Sequence, residues 1–410
     1  MSSVDRFAKE SRRRIHLRPG RDKALRNRHP WVFDGGIVRE EGDADAAIAD
    51  VFSAEGTLIA SGFYSAKSQI RCRAISFGRE LTQDLLRERI AIAVQARAHL
   101  VGEATDAVRL VHSEGDGLSG LVADLYAGTL VVEITSAGLE KLREMVLSLL
   151  RTETEKLTRV GPLMMKNDLG SRRLEGLPLA DEWLGAGGGD AENETLIHES
   201  GLRFVVQPGK GQKTGFFIDQ RENRAMVRAM ARGRSVLNVF SYTGGFGVSA
   251  AAGGAASVEE VDVSAPAIAM AARNHELNPS TASIEFVTAD AFEHLRKRRA
   301  EGRTYDLVVV DPPAFAKSRG DVDRAARGYK DVNMQAFSLV APGGVLVTFS
   351  CSGHVSSDLF QKIVFSAAAD ARRDASILRR LGAGEDHPVS IYCPEGEYLK
   401  GLVLRVGGEN

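Results

Sequence analysis

The chain has 410 residues, 43% hydrophobic and 26% charged, a composition typical of soluble globular proteins. Its formal net charge of −1 excludes a uniformly basic protein, so contact with an acidic partner must depend on a local patch. Cys72, Cys351 and Cys393 lie far apart, which excludes a disulfide framework, predicts no bound metal and favours a reducing cytoplasm. No segment has the apolar length of a membrane span, and the polar N-terminus differs from a signal peptide.

The first of three predicted domains covers residues 1–80. The pieces WVFDGGIV, AAIADVFS, LIASGFYS and IRCRAIS predict strands of a small β domain. A basic run lies before Pro30, and it is consistent either with a solvated tail or with a phosphate-binding surface. The nearby aromatic residues Trp31, Phe33, Phe63 and Tyr64 favour the second, because aromatic rings can stack on bases. The candidate RNA-binding residues are Arg12, Arg13, Arg14, Arg18, Arg21 and Lys23.

The second predicted domain, residues 81–190, has an α+β pattern. LTQDLLRERIAIAVQARAHL and GLEKLREMVLSLLRTET have the apolar spacing of helices. RLVHSEGDGLSGLVADLYAGTLVVEI, which lies between them, predicts two strands around turns. The glycine-rich polar stretch GAGGGDAENE (185–194) predicts a linker to the third domain.

The third predicted domain, residues 191–410, alternates strands and helices. The predicted strands are RFVVQ, SVLNVFS, SVEEVDV, SIEFVTA, YDLVVVD, GVLVTFS, HPVSIYC and YLKGLVLRV. Nearly continuous apolar strands separated by helices indicate an α/β fold with a parallel sheet covered on both faces. In such a sheet, ligands bind at the carboxyl ends of the strands.

NVFSYTGGFG (238–247) joins a predicted strand to a predicted helix and is typical of a cofactor-binding loop. Its small residues allow close approach of the backbone, and a helix N-terminus favours an anion. Asp262 ends the following strand, where an acid can bind ribose hydroxyls, and Asp290 follows the next strand. Nicotinamide and S-adenosylmethionine cofactors both fit the loop and the first acid. The absence of a Walker pattern excludes a P-loop nucleotide triphosphatase.

DPPAF (311–315) is the most specific motif in the chain. Two prolines fix the backbone, so that Asp311 and Phe315 form a rigid wall. Asp311 can accept from an exocyclic amine or pair with a ring nitrogen, and Phe315 can stack on a planar base. The alternative is a strand-ending turn with an aspartate cap. An enzyme that acts on a flipped base explains the motif, whereas a dehydrogenase does not.

FSCSG (349–353) places Cys351 at the end of a predicted buried strand. Cys351 is either a core residue or a nucleophile. A thiolate that attacks carbon-6 of cytosine turns carbon-5 into a nucleophile for a methyl group. Such a cysteine needs an electropositive and partly open pocket. The residues around it favour the nucleophile, while Cys72 and Cys393, each on a predicted strand, are expected to be structural.

KGQKTGFFIDQRENR (210–224) has two interpretations. Thr214, Phe217 and Asp219 are candidates for a flap that closes over cofactor or substrate. The alternative is an ordinary helix start, with Asp219 as the cap, Glu222 completing a variant capping box and one phenylalanine in the core.

Several motifs together carry a family resemblance over nearly the whole chain. KTGFFIDQRENR, NVFSYTGGFGVSAAAGGA, DLVVVDPPAFAKS, RGYKDVNMQAFSLVAPGGVLVTFSCSGHVSSDLFQKIV and HPVSIYCPEGEYLKGLVLRV resemble the bacterial 23S rRNA cytosine-carbon-5 methyltransferases of the RlmI type. HPWVFDGGI resembles the PUA domain that opens this family, and RLVHSEGDGLSGLVADLY resembles its central α/β domain.

The resemblance implies a Rossmann-like class I methyltransferase domain with S-adenosylmethionine as methyl donor. It implies that Cys351 is the nucleophile and that Asp311 positions the base beside Pro312, Pro313 and Phe315. The implied cofactor-binding residues are Phe240, Ser241, Tyr242, Thr243, Gly244, Asp262, Ser264, Asp290 and Ala291. The implied partner is 23S rRNA, and a homodimer is an open alternative to a monomer.

Two positions depart from related enzymes. Asn238 stands where this fold class usually has an acid, so no carboxylate contact to the cofactor is expected from position 238. Ala314 follows the two prolines, where many RNA 5-methylcytosine enzymes carry a second cysteine. No residue is therefore assigned to removal of the carbon-5 proton.

Two other functions compete with cytosine-carbon-5 methylation. The same fold could methylate a base nitrogen without cysteine catalysis, in which case methylation would survive replacement of Cys351. A non-catalytic RNA-binding assembly factor would fail to bind S-adenosylmethionine.

Overall fold

The computed structural model describes residues 6–184, 194–208 and 210–409. Packing divides the chain into two units that each collect non-contiguous segments. The first unit runs to His198 and adds residues 206–218 and 385–396. The second unit consists of residues 199–205, 219–384 and 397 onward. The division into three domains, at residues 80 and 190, stays a prediction.

The first unit begins with a six-stranded sheet of order β2-β6-β5-β4-β1-β3. Its elements are β1 (Arg12–Leu17), α1 (Lys23–Arg26), β2 (Trp31–Phe33), β3 (Ile37–Gly42), β4 (Ile48–Phe52), β5 (Leu58–Tyr64) and β6 (Ile70–Phe77). Strand β1 pairs with β3 and β4, so part of the basic run is an internal strand. Arg12, Ile15 and Leu17 are buried, but three consecutive arginines interrupt the apolar pattern by which the sequence would reveal a strand.

A five-stranded sheet of order β11-β10-β9-β8-β7 completes the first unit. Its elements are α2 (Gln83–Ala96), β7 (Ala107–His112), β8 (Leu121–Tyr126), β9 (Thr129–Ile134), α3 (Ala137–Glu140), α4 (Arg143–Thr154), β10 (Leu163–Met165), α5 (Gly170–Glu175) and β11 (Glu182–Leu184). The prediction of two strands where β7, β8 and β9 lie was wrong. Ala127 (φ 46°) and Gly128 (φ 91°) form a two-residue turn of the type that favours glycine and asparagine, and the alanine conceals it. Of the predicted linker, residues 185–193 lie outside the described residues.

A short hairpin follows, with β12 (Thr195–Glu199) and β13 (Leu202–Val206). Ser200 and Gly201 both have positive φ in its two-residue turn.

The second unit is an α/β fold around a seven-stranded sheet of order β16-β15-β14-β17-β18-β20-β19. Its elements are α6 (Arg221–Met230), β14 (Ser235–Val239), α7 (Gly245–Ala252), β15 (Ser257–Asp262), α8 (Ala265–Leu277), β16 (Ser283–Thr288), α9 (Ala291–Ala300), β17 (Tyr305–Val310), α10 (Val322–Leu339), β18 (Val340–Ser350), α11 (Ser357–Asp370), β19 (Arg373–Leu381) and β20 (Lys400–Glu409). Strands β14 to β18 are parallel, which confirms the predicted parallel sheet, and β20 is antiparallel to both neighbours. Strand order reverses at β14, where ligands bind in open α/β sheets.

The predicted strand HPVSIYC was wrong. Residues 387–393 form no strand and belong to the first unit, where neighbouring Asp386 accepts hydrogen bonds from Arg97 (3.0 Å) and from the amide of Arg109 (3.0 Å). The strand beside β20 is instead β19, most of whose side chains are exposed. An edge strand of this kind lacks the apolar pattern from which a strand is predicted. No helix among the described residues has the length and apolar character needed to cross a membrane.

Candidate functional site

Four strand ends of the second unit meet at one edge of the sheet. The parallel register places Val239 beside Val261 and Val310, and places Val310 beside Thr348. The segments that follow these strands carry the FSYTGG loop, Asp262, DPPAF and Cys351. The sheet therefore brings together residues that are more than 100 positions apart in the chain.

The loop after β14 has an unusual backbone that neighbouring side chains hold in place. Phe240 (φ 60°) and Tyr242 (φ 47°) adopt the left-handed region, which costs a non-glycine residue roughly 1–2 kcal/mol. Asp262 Oδ2 accepts from the Tyr242 amide (2.9 Å), and Asn274 Nδ2 donates to the Thr243 carbonyl (2.9 Å). Side chains of the neighbouring β15 and α8 therefore hold the strained loop backbone in one conformation.

A buried carboxylate, Glu260 on β15, lies under this loop. It contacts His275 Nε2 (2.8 Å) and accepts from Asn238 Nδ2 (2.7 Å). A Cβ atom at Gly247 would lie 1.7 Å from Glu260 Oε1, and one at Gly244 would lie 3.2 Å from it. Glu260 therefore requires glycine at position 247, whereas position 244 favours glycine because its φ is 81° and Ala271 Cβ would lie 2.9 Å from an added Cβ atom. Asn238 therefore stabilises the loop indirectly, because its amide donates to the Glu260 carboxylate that lies under the loop.

The loop and its acids fit the predicted nucleoside cofactor. Ser241 Oγ is buried without a hydrogen-bond partner among the described residues, beside the N-terminus of α7. The two oxygens of Asp262 accept from the Tyr242 and Ser264 amides and keep further lone pairs for hydroxyl donors. Asp290 is exposed and caps α9, and the neighbouring Ala291 is buried. Unused donor and acceptor capacity at this edge therefore suits a ribose and a charged group.

Cys351 lies directly beside the DPPAF segment. Its Sγ atom is half-buried, 3.7 Å from the Pro312 carbonyl oxygen. Ser352 Oγ accepts from the Ala316 amide (3.1 Å) and contacts the Tyr329 hydroxyl (2.9 Å), which joins the two segments. The predicted nucleophile and the predicted base-positioning motif thus share one rigid wall.

Phe315 is held by other aromatic rings. Its ring centroid lies 4.6 Å from that of Tyr329, 6.3 Å from that of Phe292 and 6.5 Å from that of Phe240. Pro312 is buried and Pro313 is exposed. The ring is consequently fixed on several sides, so a base can meet only its remaining partly exposed surface.

Gln220 orients Asp311, and the sequence analysis missed it. The buried Gln220 amide donates to Asp311 Oδ2 (2.9 Å), and its own oxygen accepts from Asn223 Nδ2 (2.6 Å). The predicted capping box was wrong: α6 has Gln220 at its N-cap, with no side-chain cap. Asp219 is buried instead and accepts from the Tyr398 hydroxyl (2.6 Å). No local pattern distinguishes Gln220 from an ordinary helix-start residue.

Lys400 was also missed. It lies opposite Ser350 in the β18–β20 ladder, is buried, and donates to the carbonyls of Ser352 (2.7 Å) and Val355. Burial lowers the pKa of Lys400, while the charges of Glu397 and Cys351 oppose that shift. Its ammonium group therefore anchors the segment after Cys351 and adds positive charge there. A lysine inside the apolar strand YLKGLVLRV is the one signal that could have identified it.

Two of the three predicted flap residues belong to the first unit. Thr214 is buried, donates to Asp124 Oδ2 (2.5 Å) and contacts the Tyr126 hydroxyl (2.7 Å). Phe217 is half-buried, and Lys213 Nζ lies 4.5 Å from its ring centroid. These contacts give Thr214 a packing role in the first unit.

The predicted RNA-binding residues differ in accessibility. Arg12 is 3% exposed and binds Asp50 (2.9 Å), so it is structural. Arg13 is half-buried against Glu40 (3.2 Å). The exposed members of the set are Arg14, Arg18, Arg21 and Lys23. Of the four aromatics, Phe63 and Tyr64 are buried, Trp31 donates to Glu114 (2.8 Å), and Phe33 is exposed.

Among its described residues, the first unit contains one group whose side chains resemble a metal site. Donor atoms of His29, Cys393 and Glu395 lie within 4.8 Å of one another. The Trp31 amide donates to His29 Nδ1 (3.2 Å), which leaves the ring proton on Nε2, 3.5 Å from a Glu395 oxygen. A metal-bound histidine normally donates its second ring nitrogen, so this group fits a hydrogen-bonded cluster better than a metal. Burial raises the pKa of Cys393 to about 12, and Cys72 is also fully buried, in agreement with structural roles.

Comparison with known families gives two matches along the chain. A family of S-adenosylmethionine-dependent methyltransferases matches residues 109–385, and a PUA-like domain family matches residues 15–77. Both agree with the fold class implied by the sequence motifs.

Curated relatives match almost end to end. A protein of Shewanella amazonensis named ribosomal RNA large subunit methyltransferase I is 44% identical over 96% of this chain and 99% of its own length. A protein of Aeromonas salmonicida with the same name is 44% identical over 95% of this chain and 98% of its own length.

Solved structures share the fold at low identity. A methyltransferase complexed with SAH has a TM-score of 0.80 at 19% identity, and covers 96% of this chain with 99% of its own. An S-adenosylmethionine-dependent methyltransferase from Streptococcus mutans has a TM-score of 0.78 at 19% identity, with the same coverage.

Proposed function

The chain belongs to the S-adenosylmethionine-dependent methyltransferase family that includes the ribosomal RNA large subunit methyltransferase I proteins, and on this premise we propose that it methylates carbon-5 of a cytosine in 23S rRNA. The chain has the PUA-like and methyltransferase domains of that family and uses S-adenosylmethionine. An rRNA substrate agrees with the names of the relatives and with the predicted cytoplasmic location.

One observation carries the choice of carbon-5: Cys351 Sγ lies 3.7 Å from the backbone of DPPAF. A methyltransferase of a base nitrogen needs no thiol, because the nitrogen lone pair is itself nucleophilic. Carbon-5 of cytosine has no such lone pair and needs covalent activation. A partly exposed cysteine with a buried ammonium group nearby, Lys400, meets the requirement for a reactive thiol.

The proposed reaction begins with addition of the Cys351 thiolate to carbon-6. This forms a sulfur–carbon bond and moves the electron pair of the 5,6 double bond to carbon-5, while Asp311, oriented by Gln220, accepts from the exocyclic amine. S-adenosylmethionine, when bound, would supply the electrophilic methyl group to carbon-5, with cleavage of its sulfur–methyl bond and departure of S-adenosylhomocysteine. Loss of the carbon-5 proton to a base, with departure of the Cys351 thiolate, restores the double bond and frees the enzyme.

The cofactor would be held at the neighbouring strand ends. Asp262 is positioned to accept from ribose hydroxyls, and the buried Ser241 hydroxyl and the N-terminus of α7 can bind polar groups of the amino-acid part. Asp290 and Ala291 would then contact the adenine of the cofactor.

Replacement of Cys351 by alanine tests this function. Unmodified 23S rRNA is incubated with S-adenosylmethionine and the full-length protein, and the digested nucleosides are analysed by mass spectrometry. We expect 5-methylcytidine from the natural protein, and a loss of at least about 1,000-fold in rate for Cys351→Ala because no other described thiol adjoins DPPAF.

Cys72→Ala is the matched control, because Cys72 is a buried cysteine on β6 of the first unit. It should retain methylation, and both variants should retain S-adenosylmethionine binding. Formation of a different methylated nucleoside, or 5-methylcytidine in Cys351→Ala, would refute the covalent route and favour nitrogen methylation.

A further inference from the structure

The first unit contains a cavity of about 610 Å³ between β6, α2 and the segment 385–396. Arg28, Arg79 and Arg89 line it together with Phe77 and Tyr392. None of these residues belongs to the site described above or to the predicted RNA-binding set.

Arg28, Arg79 and Arg89 form no ion pair with a carboxylate among the described residues. Arg89 is half-buried, and its Nε atom is buried without a hydrogen-bond partner. Burial, together with the positive charges of Arg79 and Arg28, lowers the pKa of Arg89, and the charge of Glu88 only partly opposes this shift. Like charges gathered in a depression, one of them partly desolvated, are stabilised when an anion binds between them.

The acids that line the cavity are already engaged elsewhere. Glu114 accepts from the Trp31 indole (2.8 Å) and the Ser119 hydroxyl (2.5 Å). Asp116 forms a two-point ion pair with Arg97 (2.7 and 2.9 Å). Neither carboxylate forms an ion pair with the three cavity arginines, so the lining keeps a local positive charge.

Arg28 is held in a conformation that favours glycine. Its φ of 65° places it in the left-handed region just after α1, where glycine commonly ends a helix. Its guanidinium carbon lies 5.8 Å from the centroid of the Tyr392 ring, at the cavity wall. An arginine at this position costs stability, and a ligand-binding role accounts for that cost.

We propose that Arg28, Arg79 and Arg89 bind backbone phosphates of the RNA substrate. The proposal rests on RNA being the substrate in the proposed function, and it does not depend on the cysteine chemistry. Arginine forks match phosphate oxygens, and the adjoining Phe77 and Tyr392 offer rings for a sugar or base. Tyr392 is 43% exposed, which a pocket for a small free anion does not explain.

The test measures binding of the full-length protein to unmodified 23S rRNA over a series of salt concentrations. The variants are Arg89→Gln and Arg28→Gly, and the matched control is Arg87→Gln. Arg87 lies on the same helix, is exposed and pairs with Asp84 (3.2 Å). Arg87→Gln therefore makes the same change of charge outside the cavity.

We expect Arg89→Gln and Arg28→Gly to bind RNA more weakly, each with a salt slope smaller by about one unit, because each phosphate contact releases a counterion. Arg87→Gln should bind as the natural protein does. Arg28→Gly should lose no thermal stability, since glycine suits its backbone, so its weaker binding cannot come from unfolding. Salt slopes equal to that of the control would overturn the proposal.

Inorganic phosphate distinguishes a small-anion site from an RNA site. Thermal stabilisation by phosphate that is lost in Arg89→Gln, with an unchanged salt slope for RNA, would overturn the assignment to RNA. Methylation is measured on the same preparations. Smaller salt slopes in the two variants, without 5-methylcytidine from the natural protein, would support RNA binding by the cavity and refute the proposed function. Formation of 5-methylcytidine, with variant salt slopes equal to that of the control, would support the proposed function and refute RNA binding by the cavity.

Discussion

Lys400 lies 49 positions after Cys351 in the chain, yet it donates to the carbonyl of the residue next to that cysteine. Antiparallel pairing of β18 with β20 creates this contact, because Ser350 lies opposite Lys400. A buried ammonium group that binds two carbonyls fixes the backbone after the proposed nucleophile. It also favours negative charge on the nearby sulfur. Lys400 is therefore a positioning residue for Cys351.

Lys400→Met tests this role, because methionine keeps much of the side-chain volume and removes the charge. We expect methylation to slow by roughly 10- to 100-fold and the pH of half-maximal alkylation of Cys351 by iodoacetamide to rise, since a nearby cation favours the thiolate. The measurements are the rate of methylation and the rate of alkylation as functions of pH.

Lys362→Met serves as the control, because Lys362 is exposed and pairs with Asp358 (2.7 Å) on α11. It should leave both measurements unchanged. An alkylation profile of Lys400→Met that matches the natural protein would show that Lys400 acts only in packing.

The residues of the site divide according to how they can be found. Asp311 and Cys351 stand in short motifs at the ends of apolar strands, so local pattern and resemblance are enough to propose them. Gln220 and Glu260 act through contacts with residues 91 and 22 positions away. No local pattern carries such a contact, and these supporting residues are visible only after the chain has folded.

A buried ion cluster joins β15, α9 and β17 in the second unit. Glu259 contacts His294 Nε2 (2.5 Å) and accepts from Arg298 Nε (2.8 Å) and the Tyr305 hydroxyl (2.6 Å). Burial alone would raise the pKa of Glu259, but these three contacts outweigh it and lower the pKa to about 2. The ionised carboxylate thereby stabilises the contact between the three elements.

Acid should weaken this contact. A carboxyl pKa of about 2 in the folded state, below its ordinary value of 4.5, stabilises the fold above pH 4.5, and the contribution is lost as pH falls toward 2. The shift corresponds to roughly 3 kcal/mol in the free energy of unfolding. We expect Glu259→Gln to be less stable at neutral pH and the difference from the natural protein to narrow in acid, as measured by urea unfolding.

Glu293→Gln is the control on α9, because Glu293 is an acidic residue in the first turn of that helix outside the cluster. Its free energy of unfolding should follow that of the natural protein at every pH. A constant difference between Glu259→Gln and the natural protein across this pH range would contradict the prediction.

Strands with continuous apolar runs were predicted correctly, as β14 to β18 illustrate. Two strands that the sequence analysis did not predict, β1 and β19, have a residue pattern that depends on their neighbours. In β1, Arg12 is buried because it pairs with the buried Asp50, and β19 is exposed because it is the edge of its sheet. The residues of a strand do not reveal which strands will pair with it, so β1 and β19 could not be recognised from the sequence.

The first unit is assembled from three separate segments of the chain. Asp124, fully buried on β8, accepts from Arg109 (2.7 Å) and from Thr214, which lies beyond β13. Arg97, the residue directly after α2, donates to the carbonyl of Asp386, near the far end of the chain. Buried polar groups of residues 1–184 thus depend on partners that this stretch does not contain.

A fragment of residues 1–184 should therefore be less stable than the same residues in the full chain. Removal of Thr214 and Asp386 leaves buried polar groups without their partners, each at a cost of roughly 1–3 kcal/mol. We expect amides of β7 and β8 to exchange hydrogen faster in the fragment. Equal protection of these amides in the fragment and the full chain would show that the N-terminal stretch folds by itself.

Composition, strand pattern and short motifs were sufficient to indicate an α/β chain with a cofactor loop, a base-handling DPPAF motif and a strand-ending cysteine, because each depends on residues close together in the chain. The grouping of segments into two units, the support of Asp311 by Gln220 and of Cys351 by Lys400, and the cavity with three arginines depend on contacts between distant residues. Such contacts arise when the chain buries its apolar surface and must pair the polar groups buried with it, so only the tertiary structure decides them.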